Sequence, residues 1–194
     1  MFRIRRSPAL VLSVSLAAVV GTAFGAAALV RPVPVAAAAV SAVAGPPWIS
    51  IEYPVNPFDR TTRGAHLLVH AYYHGTPVAY PVSGTAEGIV NGERRTITLR
   101  FETTSRTGVY ALRKQWPSEG AWTLVVTVTQ GDHDRGGVAQ ALVALAPSGA
   151  VASVHVPTEQ RAEWTVPRRL TAQEIEAALR AHAQRVALAG TPRD

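Results

Sequence analysis

Along AWTLVVTVTQ (121–130), Trp122, Leu124, Val126 and Val128 fall on one side, while Thr123, Val125, Thr127 and Thr129 fall on the other. A period of two predicts a strand, because successive side chains leave a pleated backbone on opposite faces. The same rhythm recurs from Trp48 onward. It is carried by WISIEY (48–53), AHLLVHAYY (65–73), VSGTAEGIV (82–90), ERRTITLRFE (93–102), GVYALRKQW (108–116), VAQALVALA (138–146) and AVASVHVP (150–157). In WISIEY, Ile49, Ile51 and Tyr53 share a side; in ERRTITLRFE, Ile97, Leu99 and Phe101 do. Turn residues punctuate the runs, and Asn91-Gly92 predicts a two-residue hairpin loop, where both positions need a positive φ. Short strands at this spacing predict an all-β fold, a two-sheet antiparallel β-sandwich of about seven to nine strands over residues 48–157.

The pattern changes near residue 170, within a C-terminal tail spanning 158–194. Leu170-Thr171-Ala172-Gln173-Glu174-Ile175 reads as a helix start. Thr171 can cap, Glu174 completes a capping box, and Leu170 can staple against Ile175. Ile175, Ala178, Leu179, His182 and Val186 then follow at helical spacing, which predicts a helix over 172–188. One role for its apolar stripe is to pack on the sandwich or cover a sheet edge. The other is to dock a partner, with Ile175, Leu179, Val186 and a loop residue, Trp116, as contacts.

The amino-terminal end has a different character. Arg3, Arg5 and Arg6 precede an uncharged stretch from Pro8 to Val30, 23 residues long. That layout predicts a secretory signal or a retained membrane anchor over residues 1–30, and either one places the rest outside the cytoplasm. RPVPVAAAAVSAVAGPP (31–47) has no periodic pattern and reads as a linker. Membrane contact is expected only through the apolar segment.

Charge needs the same division. The net +6 owes four arginines to positions 3, 5, 6 and 31, ahead of every acidic residue; the remainder carries 15 basic and 13 acidic side chains. So balanced a domain argues against nucleic acid as a partner. The chain has no cysteine, which excludes disulfides, thiolate metal sites and cysteine nucleophiles. Arginine outnumbers lysine 18 to 1.

HLLVHAYYH (66–74) sets His66, His70 and His74 at intervals of four. On a helix they would gather on one face within reach of a single ion. On a strand they also share a face, but four residues advance about 13 Å, too far for one ion to bridge neighbours. The flanking glycines and the β-rich surroundings favour the strand, which turns the triple into a surface stripe. A metal site then requires one of them to meet His133 or His155 from another strand. Asp132, His133 and Asp134 also form a loop cluster, yet it supplies fewer oxygens than a hard cation needs. No nucleophile elbow, zinc-protease helix, phosphate loop or dinucleotide fingerprint is present, so no catalytic residue and no cofactor are expected.

Gly108-Val109-Tyr110, followed by Gly120-Ala121-Trp122-Thr123-Leu124-Val125-Val126, resembles the Gly-x-Tyr … Gly-x-Trp-x-Leu-x-Val ending of YtkA-like and FixH-like exported domains. Arg63 to Ala79 is similar to their opening strands, and the likeness covers residues 47–130. It implies a small extracytoplasmic immunoglobulin-like sandwich, secreted or anchored, with some relatives associated with copper or oxidase assembly. This chain departs from a copper-handling pattern, because its single methionine is Met1 and soft ligands are missing. The expected function is therefore a non-catalytic exported module that binds or organises an unknown envelope protein or ligand. The alternative is a histidine-based Cu(II) or Zn(II) binder, and the least expected reading is an enzyme of unknown type.

Overall fold

The computed structural model describes residues 45–131 and 137–189. The expected signal or anchor and the linker as far as residue 44 lie outside these residues. So do Asp132, His133 and Asp134.

One five-stranded antiparallel sheet, here sheet A, has the order β1 (Trp48–Glu52), β2 (Leu67–Tyr73), β7 (Val109–Leu112), β6 (Phe101–Thr103), with the short β3 (Thr76–Pro77) also pairing with β2. A second, sheet B, has the order β10 (Val151–His155), β9 (Val138–Leu145), β8 (Ala121–Thr129), β4 (Val82–Val90), β5 (Glu93–Thr98). Strands β11 (Thr158–Arg161) and β12 (Trp164–Pro167) pair only with each other. A single α-helix, α1 (Ala172–Ala189), completes the described residues and belongs to the same compact unit as the sheets.

Twelve strands among the described residues exceed the expected seven to nine, for three reasons. ERRTITLRFE, read as one strand, is two. Leu99 and Arg100 carry the chain from sheet B to sheet A, and Leu99 N–H donates to the Gly84 carbonyl at 2.9 Å on the way. The second is the β11–β12 hairpin, which lies in the segment expected to hold only a helix, and the third is the two-residue β3, which pairs back on β2.

The alternation assigned the core correctly. Leu67, Val69, Ala71 and Leu112 from sheet A meet Ala86, Trp122, Leu124, Val126, Val128, Ala139, Ala141, Val143 and Leu145 from sheet B in one buried cluster. Burying a side chain of leucine size contributes about 2 kcal/mol, so this cluster is the main source of stability. Asn91 and Gly92 have φ of 52° and 81° and join β4 to β5, with Val90 opposite Glu93, as the sequence predicts. Gly88 sits opposite Trp122, and a Cβ there would come within 2.5 Å of the indole. Glycine is what lets the large ring lie flat against β4.

Strands β8 and β9 are buried on both faces, and α1 is the reason. It packs against β8, β9 and β4 on the face of sheet B turned away from the core. Thr123, Val125, Leu142 and Ala144 are buried there, together with Leu179 and His182 from the helix. Ile175, Ala178 and Val186, the rest of the expected stripe, are half-buried. The helix therefore covers a sheet face instead of an edge. Its start is the capping box read from the sequence. Glu174 N–H donates to Thr171 Oγ1 at 3.2 Å, and Thr171 N–H donates to the Glu174 carboxylate at 2.8 Å. Arg168 reaches both Glu174 oxygens, at 2.6 and 2.9 Å, and Leu170 N–H donates to Gln140 Oε1 at 2.7 Å. These bonds fix the entry of the helix onto sheet B.

Candidate functional site

The histidines at intervals of four do not converge. Only His70 is a residue of β2, on the face of sheet A opposite the core. Its Nε2 lies 2.9 Å from Glu52 Oε2, and its ring stacks near Tyr72 at 6.1 Å. His66 precedes the strand and meets Trp116 edge-on at 5.1 Å. Burial, with help from Lys114, holds its pKa below the ordinary histidine value. His74 is exposed and has left the strand altogether. With Gly75 it forms the two-residue loop between Tyr73 and Thr76, at φ of 47° and 79°. The expected stripe of three is thus one strand residue, one residue tucked beside a tryptophan, and one turn residue. His155 is exposed on β10. Among the described residues no three histidines or carboxylates stand close enough to hold a metal ion.

The structure does gather chemistry at one end of sheet B. Loop 113–120 leaves β7, the turn 146–150 joins β9 to β10, and α1 contributes His182 beside them. Together they form a hollow of about 100 Å³, lined in part by Lys114, Trp116, Ser118, Trp122, Leu145 and His182. Trp122 Nε1 donates to the Glu119 carbonyl at 2.8 Å, which ties the loop to β8. Lys114 Nζ donates to Ser118 Oγ at 2.7 Å. His182 is only 2% exposed, and its Nδ1 has no hydrogen-bond partner. Burial, then Arg185, pushes its pKa down, so the ring is neutral at pH 7.

The lining combines the Lys114 ammonium, the hydroxyls of Ser118 and Ser148 and the neutral imidazole of His182 with two largely buried indoles. Lys114 is exposed, as is Ser118.

The residues read from the sequence as partner contacts occupy different environments. Leu179 is 0% exposed under sheet B, and Trp116 is buried beside His66. Neither offers free surface, because the helix stripe and the loop tryptophan are used inside the molecule. Ile175 and Val186 are half-buried on the same helix face. An exposed aromatic of the C-terminal segment lies outside the expected contact residues. Trp164 is 74% exposed on the β11–β12 hairpin, next to a two-residue turn, Ala162-Glu163, in which Ala162 has a φ of 52°. The only signal for His182 in the sequence is its place as a histidine within an apolar helical stripe.

Among the described residues no helix is long and apolar enough to cross a membrane. No family model, curated protein or solved structure matches the chain.

Proposed function

We propose that the chain is an exported, non-catalytic, immunoglobulin-like β-sandwich that serves as a binding or structural module of the cell envelope. The strand order supports the fold assignment. Sheet A runs β1-β2-β7-β6 and sheet B runs β9-β8-β4-β5 before its extra edge strand β10. Lettered in chain order without β3, these are A-B-E-D and G-F-C-C′, the arrangement of immunoglobulin-type sandwiches. The Gly-x-Tyr … Gly-x-Trp ending, on β7 and β8, is consistent with the likeness to YtkA-like and FixH-like domains. The arginines and uncharged run before residue 31 support export.

The observation that carries the binding reading is the β11–β12 hairpin. It joins neither large sheet, is mostly exposed, and presents Trp164 to solvent. An open tryptophan is the kind of anchor on which protein interfaces concentrate their affinity. The metal-binding alternative draws no comparable support, since His66, His70, His74 and His155 stand in separate environments.

Cross-linking in intact cells compares the full chain with Trp164→Ala. The reading expects a discrete cross-linked species that falls at least about fivefold in the variant. Equal recovery counts against the hairpin as the contact. An export-dependent reporter fused after Pro47 tests location separately, and an inactive fusion would contradict export.

A further inference from the structure

We propose that the loop between β1 and β2 is a membrane-contact site, where Phe58 enters the acyl region of an anionic lipid surface and Arg60 and Arg63 meet its headgroup phosphates. This surface is separate from the β11–β12 hairpin, and its failure would leave the hairpin reading standing. It adds a second membrane contact to the one expected through the apolar segment before residue 31.

The ring comes first. Phe58 is 90% exposed, the most open large apolar side chain among the described residues. That exposure is built into the loop. Phe58 N–H donates to Asn56 Oδ1 at 3.0 Å, and Asp59 N–H donates to the Asn56 carbonyl at 3.2 Å. Asp59 Oδ1 accepts from the Thr61 N–H at 2.9 Å and from its hydroxyl at 2.6 Å. Val55 and Ala65 pack the two ends of the loop against Leu68, Val109 and Ala111. With its ends packed and its turns bonded, the loop keeps Phe58 pointing outward. A phenyl ring held in water is a large apolar surface without a partner.

Charge says what the partner is. Arg60 opens a single 3₁₀ turn, and Arg63 follows three residues later. Positions three apart in such a turn project alike. Both arginines are exposed, and neither has an acidic partner among the described residues. The carboxylates around them are already engaged. Asp59 lies 3.7 Å from Arg106, Glu102 lies 3.1 Å from Arg113, and Glu52 lies 2.9 Å from His70. Two uncompensated cations beside an apolar ring complement phosphates lying over hydrocarbon.

The isolation of the ring favours lipid over protein. A protein hot spot sits inside a patch of contacts that excludes water. Phe58 stands clear of any such rim, whereas acyl chains close around a protruding ring without a matching pocket. Tyr53, 39% exposed at the start of the loop, suits the headgroup level, where aromatic rings with a polar tip concentrate.

The chain has no cysteine, so one can be placed at will. The test puts an environment-sensitive fluorophore on Pro57→Cys in the full-length chain, with Phe58 intact, and mixes it with vesicles carrying a spin-label quencher on their acyl chains. One set is phosphatidylcholine alone; the other is equal parts phosphatidylcholine and phosphatidylglycerol. A control label sits on Glu163→Cys, exposed on the hairpin. The proposal expects quenching at position 57 in the anionic vesicles, little in the neutral ones and none at position 163. The ratio of quenched to unquenched label should fall about fivefold in Arg60→Gln and in Arg63→Gln, and at least about tenfold in Phe58→Ser. All three substitutions are at exposed positions, so an unchanged fold can be verified by circular dichroism. Quenching that survives Phe58→Ser, or that is equal in neutral vesicles, would overturn the site. So would an unquenched label that becomes shielded only when envelope proteins are added, which would give the loop to a protein partner.

Discussion

Leu142 and Ala144 on sheet B lie under an 18-residue helix, whereas Leu68, Val109 and Ala111 on sheet A form a smaller cluster with Val55 and Ala65 of the loop between β1 and β2. Both sets face away from the central core. A helix brings a continuous apolar stripe and satisfies its own backbone, so it can cover three strands at once. A loop covers only the spot where its few apolar side chains fall. That is why β8 and β9 are buried almost throughout, while β2 is fully buried only as far as Val69 and at Ala71. The cover on sheet B also completes the hollow at its end, where His182 joins Trp116 and Trp122 in the lining.

The sharpest way to break the contrast is at Leu179. Replacing it with Ala should cost about 3 kcal/mol, since the helix is held on both sides of the vacated space and cannot collapse into it. Urea unfolding followed by tryptophan fluorescence measures this; a loss under about 1 kcal/mol would mean the helix adapts as a loop does. On the other face, Leu68→Ala should cost less, about 2 kcal/mol, because the covering loop can settle inward. Equal or larger loss there would erase the distinction.

Acidification should act on both faces in the same direction and more weakly. His66 and His182 are held below the ordinary histidine pKa by burial. The unfolded chain therefore takes up protons below about pH 6.5 that the folded chain refuses. Their contribution is complete above that pH and is lost as the pH falls toward the depressed folded values. The urea midpoint should drop between pH 7.5 and pH 5, and by less in His182→Gln. The smallest effect is expected at the helix start, where Thr171→Ala should cost about 1 kcal/mol by removing one half of the capping box. Thermal unfolding would detect it, and an unchanged midpoint would show that the Arg168–Glu174 pair holds the start alone.

What could be read from the residues follows the range of the interactions. The Thr171–Glu174 box and the Asn91-Gly92 loop are local devices, legible because the residues that build them are a few positions apart. The central core was legible because alternation on Trp122 to Val128 names the face. The crossing at Leu99 was hidden for the same reason. Ile97, Leu99 and Phe101 all pack on the core although the chain changes sheets between them, so the pattern never breaks. His74 kept the spacing of a strand residue while adopting a left-handed turn, a conformation histidine tolerates better than branched residues do. The β11–β12 hairpin is exposed on most sides and therefore needs no hydrophobic rhythm. The hollow is assembled from segments near 114–122, 145–149 and 182, and nothing in any one of them announces the others.

Whether α1 is an integral layer or a detachable arm decides most of this account, and native-state hydrogen exchange measures it directly. The α1 amides around Leu179 should open with the same free energy as those of Leu124 to Val128 on β8, rising and falling together as denaturant is added. Helix amides that exchange far sooner, while the β8 amides stay protected, would contradict it and return the apolar face of α1 to service as a docking surface.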